Sequence, residues 1–360
     1  MGRPVVISSI ALILLLPLLG AGVAGKPIAP YLQFPPKTPD IPHAPFSLPV
    51  FVGLTLFVLA ATVPLYLPLF RAGRKPGVKG HTRAFPWWGW AGLGLGAAAW
   101  IVAWNRFPWM GGFQAHTFTP LWIAFILVAN ALQHQMTGRC LLRDRTRRFL
   151  LLFPVSAAFW WSFEYLNRFV ANWRYVGGEE FGAMEYFLYA TLPFSTVLPA
   201  VLSVRELLLT RPRLDAAFRD RRPFSPRHPR AVAAAALAAA CAGLVAVGIM
   251  PDIVFPLVWV APPLLLNSIS ALCGEPHALS GFARGDRRSF VASSLAALIC
   301  GFFWEMWNWG SAVKWVYEIP YVDAFRLFEM PILGYAGYLP FGILCAQAGD
   351  LLLEPRRRVL

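Results

Sequence analysis

Apolar residues in this chain fall in long runs, not in the one-sided stripes of a helix packed on a soluble core. Ten such runs stand out, at about 5–25, 48–70, 86–105, 118–137, 149–170, 183–204, 231–250, 255–273, 289–310 and 327–352. A helix of roughly 20 apolar residues matches the hydrocarbon thickness of a bilayer. Inside that layer only a helix or a closed barrel satisfies its own backbone. The pattern therefore predicts an all-α fold, a polytopic transmembrane helical bundle of about ten spans. Composition agrees: 57% of residues are hydrophobic and 14% charged, where soluble domains carry about 25% charged residues.

The polar residues that interrupt the runs occur twice in the same order. Glu164-x-x-Asn167 is followed by Trp173-x-Tyr175, and Glu305-x-x-Asn308 by Trp315-x-Tyr317. Trp122 precedes Asn130 by the same interval that separates Trp259 from Asn267. The last run of each copy is expected to open on a glutamate, Glu185 or Glu329, and each carries Leu-Pro-Phe, at 192–194 and 339–341. The opening runs are both rich in small residues, one with Gly92-x-x-x-Gly96, which suits close helix packing in lipid. These matches predict two parallel four-helix repeats, 86–204 and 231–360, the second ending in a basic tail. They are joined by an Arg- and Pro-rich linker at 205–230. Two further spans lie in 1–85, where Arg3, an apolar run and Gly22-Val23-Ala24 fit either a cleaved signal peptide or a retained anchor. Between them, the seven prolines of 26–47 predict an extended segment. It is either a cover over the site or a plain connector.

Net charge is +14, but its distribution points to topology and not to nucleic acid. Twenty-five of the 32 basic residues fall in loops on one side, including Arg139–Arg148, Arg205–Arg230 and Arg356–Arg358. Basic loops stay on the cytoplasmic side, so the chain is expected in the inner membrane with both termini cytoplasmic. The segments 171–182 and 313–325 would then face outward. The five cysteines show no short metal-ligand spacing and are expected as free thiols. No metal or cofactor fingerprint is present.

A carboxylate within a membrane-length helix is costly and marks a functional site by default. Glu164 and Asn167 share a helix face, as do Glu305 and Asn308. An ion pair of Glu164 with Arg168 would be a structural explanation, but Trp309 stands at the equivalent position after Glu305. The asparagines Asn130, Asn167, Asn267 and Asn308 fit either ligand contacts or hydrogen bonds between helices. Glu185 and Glu329 fit either a shared acidic site or favourable placement in a helix first turn. Four carboxyls crowded in an apolar setting would not all ionise, which is the condition for a general acid or a proton carrier at neutral pH. The tryptophans, with Trp87, Trp88, Trp109, Trp160 and Trp304 among those assigned outward, fit an interfacial belt or the wall of an aromatic pocket.

Trp173-x-Tyr175, a glycine-rich turn and Ala183-Met184-Glu185-Tyr186 resemble the small all-membrane lycopene cyclase domains. That resemblance implies isoprenoid chemistry, with Glu164, Asn167 and Glu185 matching an acid–Asn element and the first glutamate of a Pro-x-Glu-Glu run. Glu305, Asn308 and Glu329 would match in the second copy. The chain departs from the pattern where Ala183 or Leu327 replaces the proline, and Tyr186 or Met330 the second glutamate.

Three functions fit these features. The first is an integral membrane enzyme acting on a hydrophobic, isoprenoid-like lipid through glutamate acid–base chemistry, without a cofactor. There Glu164, Glu305, Glu185 and Glu329 would be catalytic. Asn167, Asn308, Trp173, Tyr175, Trp315, Tyr317, Asn130 and Asn267 would bind the substrate. The second is a proton-coupled carrier or flippase, and the third a non-enzymatic membrane scaffold. The expected partner is a membrane lipid or another hydrophobic small molecule.

Overall fold

The computed structural model describes residues 2–36, 38–73 and 83–353. The basic residues Arg74, Lys75, Lys79 and Arg356–Arg358 lie outside them. Eleven longer helices carry the fold: α1 (Arg3–Val23), α2 (Leu48–Arg71), α3 (Trp87–Trp104), α4 (Phe118–Thr137), α5 (Thr146–Val170), α6 (Ala183–Phe194), α7 (Val197–Leu209), α8 (Pro229–Ile249), α9 (Leu257–Leu272), α10 (Arg288–Gly310) and α11 (Tyr338–Leu353). Two short ribbons pair β1 (Trp173–Val176) with β2 (Lys314–Tyr317), and β3 (Arg326–Leu327) with β4 (Met330–Pro331). Among the described residues, eight helical segments are long and apolar enough to cross a membrane. These are α1, α2, α4, α5, α6 with α7, α8, α10 and α11, with the 3-10 turns before α4 and α11 counted in. The chain is thus a multi-pass helical membrane protein. α3 and α9 are the two remaining apolar helices, packed on α4 and α8 respectively.

The centre of the bundle is made by α7, α10 and α11, with Leu198, Val201, Leu202, Ala296, Cys300 and Phe341 fully enclosed. α1 is a packed member of this bundle. Gly20 of α1 lies against the Val245 carbonyl of α8, and Gly248 of α8 against the Pro17 carbonyl of α1. Tyr165 of α5 donates to the Leu14 carbonyl at 2.7 Å. α2, by contrast, has no buried residue. It stands at the edge of the bundle beside the short helix Pro212–Phe218 and the 3-10 turn Ile332–Gly337.

The expected span at 183–204 is broken into α6 and α7. Pro193 and Pro199 remove backbone donors there, and the Ser195 and Thr196 hydroxyls bond back to the Leu192 and Pro193 carbonyls. The last span also starts later than expected. Instead of a helix from 327 with Glu329 in its first turn, the chain makes the β3–β4 hairpin with Glu329 in its bend. Phe328 there has φ 58°, and Pro331 has no N–H to give a helix. Only at Tyr338 does α11 begin.

The proline-rich segment 26–47 forms one helical turn, Ala29–Leu32, where a fully extended chain was expected. It then crosses the end of the bundle that carries β1 and β2. Tyr31 stacks on Phe169 at 4.3 Å. His43 bridges the Asp252 carboxyl at 3.0 Å and the Ala171 carbonyl at 3.1 Å. Ser47 N–H donates to the Tyr321 carbonyl, and Tyr321 N–H to that of Ala44. The segment is therefore strapped down at three places.

Candidate functional site

Each of α5 and α10 ends on an asparagine that turns the chain back on itself. Asn167 Oδ1 accepts from the N–H of Asn172 at 2.9 Å, and Asn167 Nδ2 donates to the Trp173 carbonyl at 2.6 Å. Asn308 Oδ1 accepts from Trp315 N–H at 2.9 Å, and its Nδ2 donates to the Trp315 carbonyl at 2.7 Å. Each side chain thus holds the backbone of the tryptophan that opens Trp-x-Tyr. These two asparagines are local clamps and not bonds between transmembrane helices. Asn130 and Asn267 do bridge helices. Asn130 donates to Ser203 of α7 and accepts from Leu142 N–H, while Asn267 donates to Gln347 of α11 and accepts from Ala278 N–H. They serve matching structural posts, far along α4 and α9 from the ribbon. Neither lines the cavity described below.

The clamps deliver two strands to one ribbon. β1 and β2 pair antiparallel, Trp173 opposite Tyr317 and Tyr175 opposite Trp315. Residues two apart on a strand share a face, so all four aromatic rings project to the same side. Arg174 lies on the other, 3.2 Å from Glu318 and 3.5 Å from Asp40. Behind the ring face are the two helix glutamates, 1% and 0% exposed. Glu164 Oε1 accepts from Tyr175 OH at 2.7 Å, Trp160 Nε1 at 2.9 Å and Trp173 Nε1 at 3.2 Å. Glu305 Oε1 accepts from Tyr338 OH at 2.7 Å and Tyr317 OH at 2.8 Å, and Trp315 Nε1 donates to the Tyr317 oxygen at 2.9 Å. Glu305 Oε2 has no hydrogen-bond partner among the described residues. Arg168 takes no part: it donates to the Gln33 carbonyl at 2.8 Å. Burial and the neighbouring Glu164 push the Tyr175 phenol well above its ordinary range, and burial and Glu305 do the same to Tyr317. Both phenols stay protonated and are the donors in these bonds.

A cavity of about 700 Å³ opens in front of the rings, a size typical of small-molecule sites. Trp173, Tyr175, Trp315 and Tyr317 form one wall, joined by Trp160 of α5 and Tyr338 of α11. Trp259 of α9 packs 5.6 Å from Trp173, and Trp304 of α10 lies 5.9 Å from Tyr338. α2 contributes a mostly apolar stretch of the lining through Leu54, Phe57, Val58, Ala61 and Thr62. Glu164 and Glu305 are not among the residues that line the cavity; the tyrosines and tryptophans that bond to them are. Each carboxyl is thus linked to cavity-lining phenols, Glu164 to Tyr175 and Glu305 to Tyr317 and Tyr338.

The other two expected carboxylates are not brought into this group. Glu185 lies exposed in the first turn of α6. Glu329 is taken up by Lys314 in an ion pair outside the cavity. The tryptophans divide between the two expected roles. Trp160, Trp173, Trp259, Trp304 and Trp315 line the cavity, while Trp109 and Trp309 are exposed. Trp87 and Trp88 lie at the opposite end from the ribbon, where Trp88 meets His134 of α4. Their grouping with the outward tryptophans is therefore corrected. Sequence reasoning missed Tyr338, because Thr191 stands before Leu-Pro-Phe in the first copy and nothing repeats there. Among the described residues no three His, Cys, Asp or Glu side chains gather as a metal-holding group.

Compared with known proteins, the chain matches no family model, no curated protein and no solved structure.

Proposed function

We propose that this protein is a membrane enzyme that holds a hydrophobic, isoprenoid-like molecule in the aromatic cavity and moves protons to and from it through the two glutamate–tyrosine pairs. One observation carries the reading: two fully buried carboxyls, one from each half of the chain, are hydrogen-bonded to the hydroxyls of tyrosines that line a single, largely apolar cavity. An isolated carboxyl in lipid is costly, and a structural role would be filled as well by a neutral amide. Positioned proton transfer typically contributes about 10²–10⁴-fold to a rate. Aromatic faces flanking those hydroxyls suit a polyene or a carbocation, which the ring quadrupole stabilises. The likeness of Trp173-x-Tyr175 and its flanks to lycopene cyclase domains adds isoprenoid chemistry to the reading.

The test is direct. The protein purified in mild detergent should carry a hydrophobic molecule detectable by extraction and mass spectrometry. Ala61→Trp, which places an indole into the cavity from the α2 wall, should remove it. Equal recovery from that variant would place the molecule elsewhere, and recovery of bulk lipid alone from both would favour a scaffold.

The arrangement also supports a finer topology: ten spans, with 86–204 and 231–360 as duplicated halves. In support, Asn130 and Asn267 make the same three kinds of bond, Asn167 and Asn308 clamp equivalent tryptophans, and β1 meets β2 about a local two-fold axis. The ribbon end would face outward and the arginine-bearing turns the cytoplasm. A cysteine introduced at exposed Glu180 should then react with an impermeant thiol reagent in intact cells. The exposed native Cys273 should react only after the membrane is opened. The reverse order would invert the topology.

A further inference from the structure

The cavity is not polar in only one way. Besides the ring residues, its polar lining includes Thr62 and Glu179, and the pair Asn172 and Thr38, of which Thr38 is part of the proline-rich strap. Both are tied to the same amide: Asn172 N–H donates to Asn167 Oδ1 at 2.9 Å, and Asn167 Nδ2 donates to Thr38 Oγ1 at 2.8 Å. Asn172 is 3% exposed, yet its Oδ1 has no hydrogen-bond partner among the described residues. A buried polar atom left unpaired is destabilising, and each such atom in a folded protein calls for an explanation. The Thr38 hydroxyl, occupied as an acceptor by Asn167, keeps its own proton to offer. The second half has no counterpart. Lys314 stands where Asn172 does, one residue before the tryptophan, and it is committed to Glu329. The first half alone thus brings this pair of polar groups to the cavity, while the α2 residues that line it are apolar apart from Thr62, whose hydroxyl bonds back to the Val58 carbonyl.

We propose that Asn172 and Thr38 form the head-group subsite of this cavity, and that its ligand is a long-chain hydrophobic alcohol whose hydroxyl lies between them. This rests on the reading of the cavity as a hydrophobic-ligand site and narrows it to a chemical class. A hydroxyl donates to Asn172 Oδ1 and accepts from Thr38 Oγ1–H. It pairs with the Asn172 amide whichever way that amide is turned, since it both donates and accepts. A hydrocarbon leaves both groups unpaired. A phosphate ester in its charged form brings no proton for Asn172 Oδ1. The apolar body then extends along the mostly apolar α2 residues, and the aromatic wall with Tyr175 and Tyr317 lies beside the chain next to the head.

The experiment measures binding of three matched probes to the full-length protein in lipid nanodiscs: phytol, phytane and phytyl phosphate. Phytol should bind about tenfold more tightly than phytane, the ratio of one satisfied buried hydrogen bond. It should also outbind phytyl phosphate. Asn172→Leu should sharply reduce the preference for phytol over phytane, because the hydrocarbon no longer leaves an amide unpaired. Thr38→Val should lower phytol affinity by a smaller factor. If Asn172→Leu fails to accumulate, Thr38→Val, which leaves Asn167 its bond to the Trp173 carbonyl, carries the test alone. Equal affinity for phytol and phytane, or tighter binding of the phosphate, would overturn the head-group assignment while leaving the hydrophobic site standing. Failure of all three probes to compete with the copurified molecule would overturn both.

Discussion

Glu305→Gln is expected to leave the protein in the membrane and to lower turnover of the hydrophobic substrate by roughly a hundredfold or more. Gln keeps the volume and an oxygen for Tyr317 and Tyr338, but it has no acidic proton to lose. Its amide nitrogen would take the place of Oε2, where no partner stands, at a cost of about 1–3 kcal/mol. Some loss of stability therefore accompanies the loss of chemistry, and the rate must be normalised to folded protein. The tyrosines sharpen the test. Glu164 reaches the cavity through one hydroxyl, Tyr175, so Tyr175→Phe should match Glu164→Gln. Glu305 has two, so Tyr317→Phe or Tyr338→Phe alone should be mild and the pair together as severe as Glu305→Gln. Conversion is read from the neutral lipids of membranes with and without each variant. Full turnover in Glu305→Gln would reduce the carboxyl to a structural group. Disappearance of the protein itself would point to a scaffold.

Gly248→Leu should be strongly damaging although it lies away from the cavity. A Cβ at Gly248 would overlap the Pro17 carbonyl, and one at Gly20 the Val245 carbonyl, so neither helix can yield by turning a side chain. Overpacking usually costs about 1–3 kcal/mol, and more when backbone must move; here α1 would have to leave α8. That removes the Tyr165 bond to Leu14 and the Lys26 bond to the Gly248 carbonyl, at 2.9 Å. The expected result is a Tm in detergent lowered by several degrees or more, with poor accumulation. Met250→Leu, two residues on and exposed, is the control that should change little. A Gly248→Leu protein with unchanged Tm would mean that α1 is not held by this contact.

The helical, membrane-spanning character was legible because apolar run length is a property of the chain alone. Glu164, Glu305 and the Trp-x-Tyr pairs were legible because each occurs twice, and repetition separates a requirement from a coincidence. The glutamate in the second copy has no arginine one turn on, and that correctly set aside the ion pair with Arg168. Other features depended on geometry that no run or repeat encodes. Glu329 has the sequence surroundings of a helix start, but Phe328 and Pro331 make a hairpin of it. Tyr338 and Asn172 have no twin in the other half. The glutamates were expected to face the ligand, whereas the rings that accompany them stand in between. Even the asparagines, which fitted either ligand contacts or bonds between helices, divide by their distance from a helix end: those in the last turn clamp the chain that follows, and those further in cross to a neighbour.

The pairing of Trp173 with Tyr317 also sets an order of assembly. Those residues are separated by most of the second half of the chain, so closing the ribbon joins ends that are far apart along the polypeptide. During synthesis β1 emerges with an unpaired edge and waits while α6 to α10 are inserted. The cavity wall is completed only when β2 and then Tyr338 arrive, after all of α6 to α10. A ribosome that stops before Tyr317 would leave a membrane-inserted bundle with an open strand and an unroofed aromatic surface. Such nascent chains expose the kind of edge that pairs with other molecules, and they are natural targets for membrane quality control.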